Sequence, residues 1–238
     1  MNAEEFVKYT TALMEGDGVT VKVFDQNTVT HSDGAQCSGW FDPSAKEMVV
    51  ATGRDFWLEI FAHEYCHYTQ WKDGTLKEES YDSENCMWEW LAGEDFTYED
   101  VEFSVRQAQM IEADNERRTV EYIKKFGLPI DVEQYIQKSN AYVMFYDVVL
   151  KTRRWSGEKP VYSVPEIYNQ FPSDAIMSDD EFRECPDWFL DLVVERCATV
   201  RKNPWWKRVW QRIKWVAAKM SESPYSPSNP QRRENPSG

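Results

Sequence analysis

The chain has 238 residues, 42% of them hydrophobic and 15% aromatic, a composition that supports one sizeable core and excludes a wholly disordered protein. The net charge of -14 divides into -21 on residues 1–200 and +7 on residues 201–238, so the body should repel nucleic acid and anionic membranes, and only the tail could seek a polyanion. There is no membrane-length apolar run, no signal-peptide pattern in "MNAEEFVKYT" and no CxxC pair among five cysteines, which together predict a cytoplasmic setting.

In chain order, a helix is predicted around residues 2–15, broken by "GDG" at 16–18. "VTVKVFD" alternates like a strand, and "CSGWFDPSAKEMVVAT" reads as a hairpin turning at "DPSA". From Asp55 the apolar period becomes helical until Gly74. Residues 74–98 are acidic and irregular, read as a solvated surface insertion. A helix over about Tyr98–Phe126, stopped by "GLP", comes next, and another starts near Asp131 and runs through "NAYVMFYDVVLKTRRW". Residues 156–187 are rich in proline and turn residues, and a helix around 187–200 follows them. The fold class is therefore α+β, with a domain over 1–200, a basic helix over 201–220 and a proline- and serine-rich tail, 221–238, expected to be disordered.

The stretch "FAHEYCHYTQW" uses two of the three histidines. Four residues apart on a helix, His63 and His67 share a face one turn apart and can hold one ion, while Glu64 can reach a water bound to it. This H-E-x-x-H arrangement combines two zinc ligands with a general base. Bound zinc lowers the pKa of its water from 15.7 to about 7. Cys66 lies between the ligands but faces somewhat away, as a small buried thiol would.

A catalytic zinc needs a third protein ligand. In the helix "RQAQMIEADNERRTVEYI", Val105, Ala108, Glu112, Glu116, Val120 and Ile123 form one stripe, with Asp114, Arg117, Arg118, Glu121, Lys124 and Lys125 opposite. Two carboxylates inside an apolar, inward-facing stripe need a partner, which a metal with two histidines would be.

"HEYCH" on one helix, with a glutamate on a later one, resembles the gluzincin zinc metallopeptidases. The resemblance covers about residues 20–150 in order of elements, but only the short motifs in sequence. It implies a zincin-like fold, with a small N-terminal antiparallel sheet packed on the active-site helix and further helices, and hydrolysis of a protein or peptide substrate. It makes His63, His67 and Glu112 the ligands, Glu64 the base and Glu116 the acid that orients a ligand imidazole; Glu116 as the ligand is the alternative. "KEMVVAT" would be the edge strand that lays out the substrate. The family's oxyanion-steadying residue has no matching motif, and Tyr142, Tyr146 or His31 could serve, Tyr142 being preferred. Small phage-encoded proteins of unassigned role carry similar stretches.

The basic stretch "NPWWKRVWQRIKWVAAKM" reads as an amphipathic helix over 204–220. It could lie on a membrane interface, bind a partner or dock on the acidic body. The alternative function is accordingly a zinc-stabilised interaction protein that binds through this helix.

Overall fold

The computed structural model describes residues 1–31, 34, 36–76, 86–155 and 159–197. The basic helix expected over 201–220 and the tail 221–238 lie outside them. The first helix, α1 (Ala3–Gly16), opens with a capping box in which the Asn2 side chain accepts from the Glu5 N–H and the Glu5 carboxylate accepts from the Asn2 N–H. Phe6, Thr10 and Met14, spaced four apart, form its buried stripe.

Strand β1 (Thr20–Phe24) follows, then β2 (Val29–Thr30) and β3 (Gln36–Cys37), which pair with each other. The predicted hairpin is β4 (Gly39–Asp42) and β5 (Glu47–Ala51). Its turn is held by Asp42 Oδ1, which accepts the N–H groups of Ser44 and Ala45.

The main sheet has the order β1-β5-β4 and is mixed, not antiparallel as expected: β4 runs antiparallel to β5, but β1 runs parallel to it. An alternating strand reads the same in either direction, so "VTVKVFD" carried no sign of its partner's direction. The sheet also overturns the role given to "KEMVVAT", because β5 is the central strand and the edge on the hairpin side is β4. The cause is visible in the residues. Met48, Val49, Val50 and Ala51 are all buried, Met48 and Val50 against the helices and Val49 and Ala51 against Val29 on the other face.

Helix α2 (Trp57–Asp73) packs on β4 and β5 and stops at Gly74, whose φ of 80° needs no Cβ to be accommodated. Residues 86–92 form α3, which corrects the reading of 74–98 as a solvated insertion for that part of it, residues 77–85 lying outside the described ones: Met87 is fully buried, and its N–H donates to Ser104 Oγ. The acidic sequence around it hid an apolar "MWEWL" face that only a tertiary partner makes useful. Helix α4 (Tyr98–Phe126) is capped by Thr97, whose side chain accepts from the Asp100 N–H, and ends at Gly127 with φ 59°. Helix α5 (Val132–Thr152) is capped by Asp131 and is buried along most of its length.

The proline- and turn-rich segment over 156–187 contains the single helical turn α6 (Pro165–Tyr168), and α7 (Asp187–Arg196) follows. Buried polar side chains fasten this segment. Asn140 of α5 donates to the carbonyls of Pro172 and Ala175 and accepts from the Met177 N–H, and Gln109 of α4 donates to the carbonyls of Val143 and Phe182.

Two apolar clusters meet along α4 and α5. One gathers α1, the sheet and α2 around Phe6, Phe61, Val120 and Ile136. The other gathers α3, the later half of α5 and the 161–197 segment around Val105, Phe145, Ile167 and Phe189. Burying each such side chain contributes about 1.5–3 kcal/mol. Glu112 and Glu116 sit on α4 between Val105 and Ala108 of one cluster and Val120 and Ile123 of the other.

Candidate metal centre

Phe61, Ala62, Tyr65 and Tyr68 fix α2 in the core, and the face that carries His63 and His67 meets α4. The two Nε2 atoms lie 3.2 Å apart. Glu112 brings one carboxylate oxygen to 3.6 Å from His63 Nε2 and the other to 3.7 Å from His67 Nε2. One ligand atom from each of the three residues lies within 4.8 Å of the others, so the cluster could hold a metal ion.

The far side of each imidazole is held. His63 Nδ1 lies 3.2 Å from Glu116 Oε1, and the other Glu116 oxygen accepts from the Tyr135 hydroxyl at 2.6 Å and the Ser139 hydroxyl at 2.7 Å. Glu116 is thus occupied on both oxygens at the back of His63, whereas Glu112 faces both Nε2 atoms. Glu112 is therefore the carboxylate that joins the two histidines in the group that could hold an ion, and Glu116 stands behind His63.

His67 Nδ1 faces Gln70 Oε1 at 2.9 Å. The Gln70 amide nitrogen donates to the Ile111 carbonyl and to Asp114 Oδ2, both at 2.8 Å. With its nitrogen so engaged, the amide turns its oxygen to His67, which places the proton on Nδ1 and the lone pair on Nε2. Each imidazole is oriented to offer Nε2 to an ion. Asn115 adds a hydrogen bond to the His63 carbonyl at 3.1 Å.

Burial opposes charge on His63, but Glu116 outweighs it, joined by Glu112 and Glu64, and raises the imidazole pKa to about 10. Burial pushes His67 the other way, to about 3, and the charge on His63 adds to that. Glu64 is 8% exposed, and burial pushes its pKa up to about 7 against the pull of His63 and of a hydrogen bond from the Phe41 backbone. A carboxyl poised near neutrality suits a general base.

The Phe41 backbone brings β4, the edge strand, against Glu64. Gly39 permits this approach, since a Cβ there would meet Ile60 Cγ2 and Val49 O at 3.0 Å and Glu64 Cγ at 3.2 Å. Tyr142 of α5 stands edge-on to the His63 ring, 6.5 Å between centroids. Burial, then the Glu112 charge, holds its phenol well above the usual range, so it remains a donor. Tyr146 lies behind it, the hydroxyls 3.3 Å apart, and His31 stacks edge-on against Trp40. Cys66 is fully buried, as expected, and burial pushes its thiol pKa up.

The sequence reading missed Gln70, Tyr135, Ser139, Gly39 and Tyr162, whose ring stands 5.9 Å from that of Tyr142. Gln70 had a signal, being the next member of the His63–His67 stripe. Tyr135 and Ser139 are four apart on α5, a weaker one. Tyr162 had none. Compared with known proteins, the chain matches no family model, no curated protein and no solved structure. No helix among the described residues is long and apolar enough to cross a membrane.

Proposed function

We propose that this protein is a zinc-dependent metallopeptidase of the gluzincin type with a zincin-like fold, hydrolysing a protein or peptide. The observation that carries the reading is the convergence of His63 Nε2, His67 Nε2 and the Glu112 carboxylate, with both Nδ1 atoms held from behind and the buried Glu64 next in sequence to His63. Two imidazoles and one carboxylate form a zinc donor set that leaves room for a further ligand. His63, His67 and Glu112 would hold zinc, which when bound would supply a Lewis acid to polarise the scissile carbonyl and acidify water.

Glu64 takes the proton of the attacking water and passes it to the leaving amine. Its burial keeps its proton affinity high enough for both transfers. Tyr142, protonated and beside His63, is the donor for the tetrahedral oxyanion. The substrate strand adds along β4, the edge strand that reaches Glu64 through Phe41.

The test is metal content by mass spectrometry with a peptide-cleavage assay. We expect one zinc per chain in the native protein, lost in Glu112→Ala and retained more weakly in Glu116→Ala. Glu64→Gln keeps zinc and loses cleavage. A native protein that takes up no metal when zinc is supplied, or a fully active Glu64→Gln variant, refutes the reading.

A further inference from the structure

His67 is not braced by Gln70 alone. A primary amide is nearly symmetric, and its two orientations demand opposite tautomers of the imidazole it faces. With oxygen toward Nδ1, His67 carries its proton there and offers Nε2 to an ion. With nitrogen toward Nδ1, the amide would donate to that atom, and the proton would have to sit on Nε2, where an ion must bind.

The far end of Gln70 decides between them. Its nitrogen meets two acceptors, the Ile111 carbonyl and Asp114 Oδ2, both at 2.8 Å. The carboxylate is the stronger acceptor of the two. Asp114 is itself aimed by Arg118, whose Nε donates to the same Oδ2 at 2.7 Å. The rest of the guanidinium is anchored on Asp73, the last residue of α2, and on Thr75, just past its end. The row Arg118–Asp114–Gln70–His67 therefore runs from a surface groove lined by Tyr65, Tyr68 and Lys72 to the metal cluster.

We infer that Asp114 and Arg118 are positioning residues that select the Gln70 orientation, and through it the metal-binding tautomer of His67. The inference rests on the metal centre proposed above. It gives a role to two side chains that neither line the cluster nor join the apolar core. Removing Asp114 leaves the Ile111 carbonyl alone to hold the Gln70 amide, so the turned-over amide gains population and ion binding must displace the wrong tautomer in that fraction.

The experiment is zinc affinity, measured by competition with a chromophoric chelator, for the native protein, Asp114→Ala, Arg118→Leu, and Gln70→Glu combined with Asp114→Ala. Loss of partners that orient metal-bound histidines typically weakens metal binding by about 10- to 100-fold. We expect about a tenfold loss for Asp114→Ala, at the low end of that range, and a smaller loss for Arg118→Leu. In the double variant a carboxylate accepts from the Nδ1–H whichever oxygen faces it, and Arg118, released from Asp114, supplies the donor that the second oxygen needs where it faces the Ile111 carbonyl. Affinity should return to within about threefold of native, as expected when only one orientation-dependent contact was at stake.

Native-like affinity in Asp114→Ala overturns the inference. So does a loss that the double variant fails to restore, which would make Asp114 a packing element only. Absence of zinc binding in the native protein is a separate result, because it removes the metal centre itself.

Discussion

If the cluster binds zinc as proposed, replacing Glu116 by glutamine changes one atom and should cost most of that affinity. The carboxylate accepts three hydrogen bonds, from His63 Nδ1 at 3.2 Å, Tyr135 at 2.6 Å and Ser139 at 2.7 Å. An amide can present an oxygen to one side only. Two hydroxyl donors outbid one imidazole, so the amide oxygen turns to Tyr135 and Ser139 and the NH2 turns to His63. His63 must then accept at Nδ1 and carry its proton on Nε2, the atom that faces the ion. A hydrogen bond to a charged group is worth about 1.5–3 kcal/mol. That corresponds to roughly a 10- to 150-fold loss of zinc affinity, in line with the usual effect of disturbing the partner of a ligand histidine. Chelator competition measures it, with the melting temperature of the metal-free variant as a check on folding. A folded Glu116→Gln protein with native zinc affinity would refute the argument that Glu116 sets the His63 tautomer.

Other outcomes follow from the same geometry. Gly39→Ala should crowd β4 between α2 and β5 and cost about 1–3 kcal/mol by overpacking, because the new Cβ meets Ile60 Cγ2 of α2 and the Val49 carbonyl of β5, both at 3.0 Å, and the carbonyl is sheet backbone that cannot step aside; a melting temperature unchanged within about 1 °C would contradict this. Asn140→Ala should strip three hydrogen bonds from residues 172–177 and destabilise by about 2–4 kcal/mol, seen in urea denaturation and as early proteolysis of that segment. In the metal-free protein the His63 pKa stands at about 10 against an ordinary 6.5, so the stabilisation from its charged form is complete below about pH 6.5 and is lost as pH rises through about 10. Zinc uptake has the opposite sign: it displaces that proton, so affinity rises with pH up to about 10, and calorimetry in buffers of differing ionisation enthalpy should detect close to one proton released at pH 7.5. Equal heats in all buffers would count against a protonated His63.

The sequence by itself determined the helices that carry the candidate site. Gly74, Asp131 and Gly127 set helix limits through backbone geometry and capping that depend on a few neighbouring residues, so the bounds of α2 and α4 and the start of α5 could be placed within about two residues, whereas α5 ends at Thr152, short of the Trp155 to which the reading carried it. Helical periodicity put His63 and His67 on one face and set Glu112 and Glu116 in a single apolar stripe, because both facts depend only on the turn of 3.6 residues. The run "MVVA" carried a further signal that was legible but unused: four consecutive apolar residues mark a strand covered on both faces, as β5 is.

Only the tertiary structure decided the rest. The direction of β1 depends on how the excursion over 25–38 brings the chain back, which strand alternation does not encode. The depth of α3 depends on the partner that covers Met87. Asp114 was read as part of the outer face of α4, yet it sits where that face turns toward α2, and there it reaches Gln70. The separation of Glu112 from Glu116 is the clearest case. The two share one stripe and one charge, and what distinguishes them is their surroundings: Tyr135, Ser139 and His63 Nδ1 saturate one carboxylate, while the other faces two imidazole nitrogens across the gap between α2 and α4. Periodicity fixes a side chain's direction from its own helix, and its chemistry is then set by what the neighbouring helices place there.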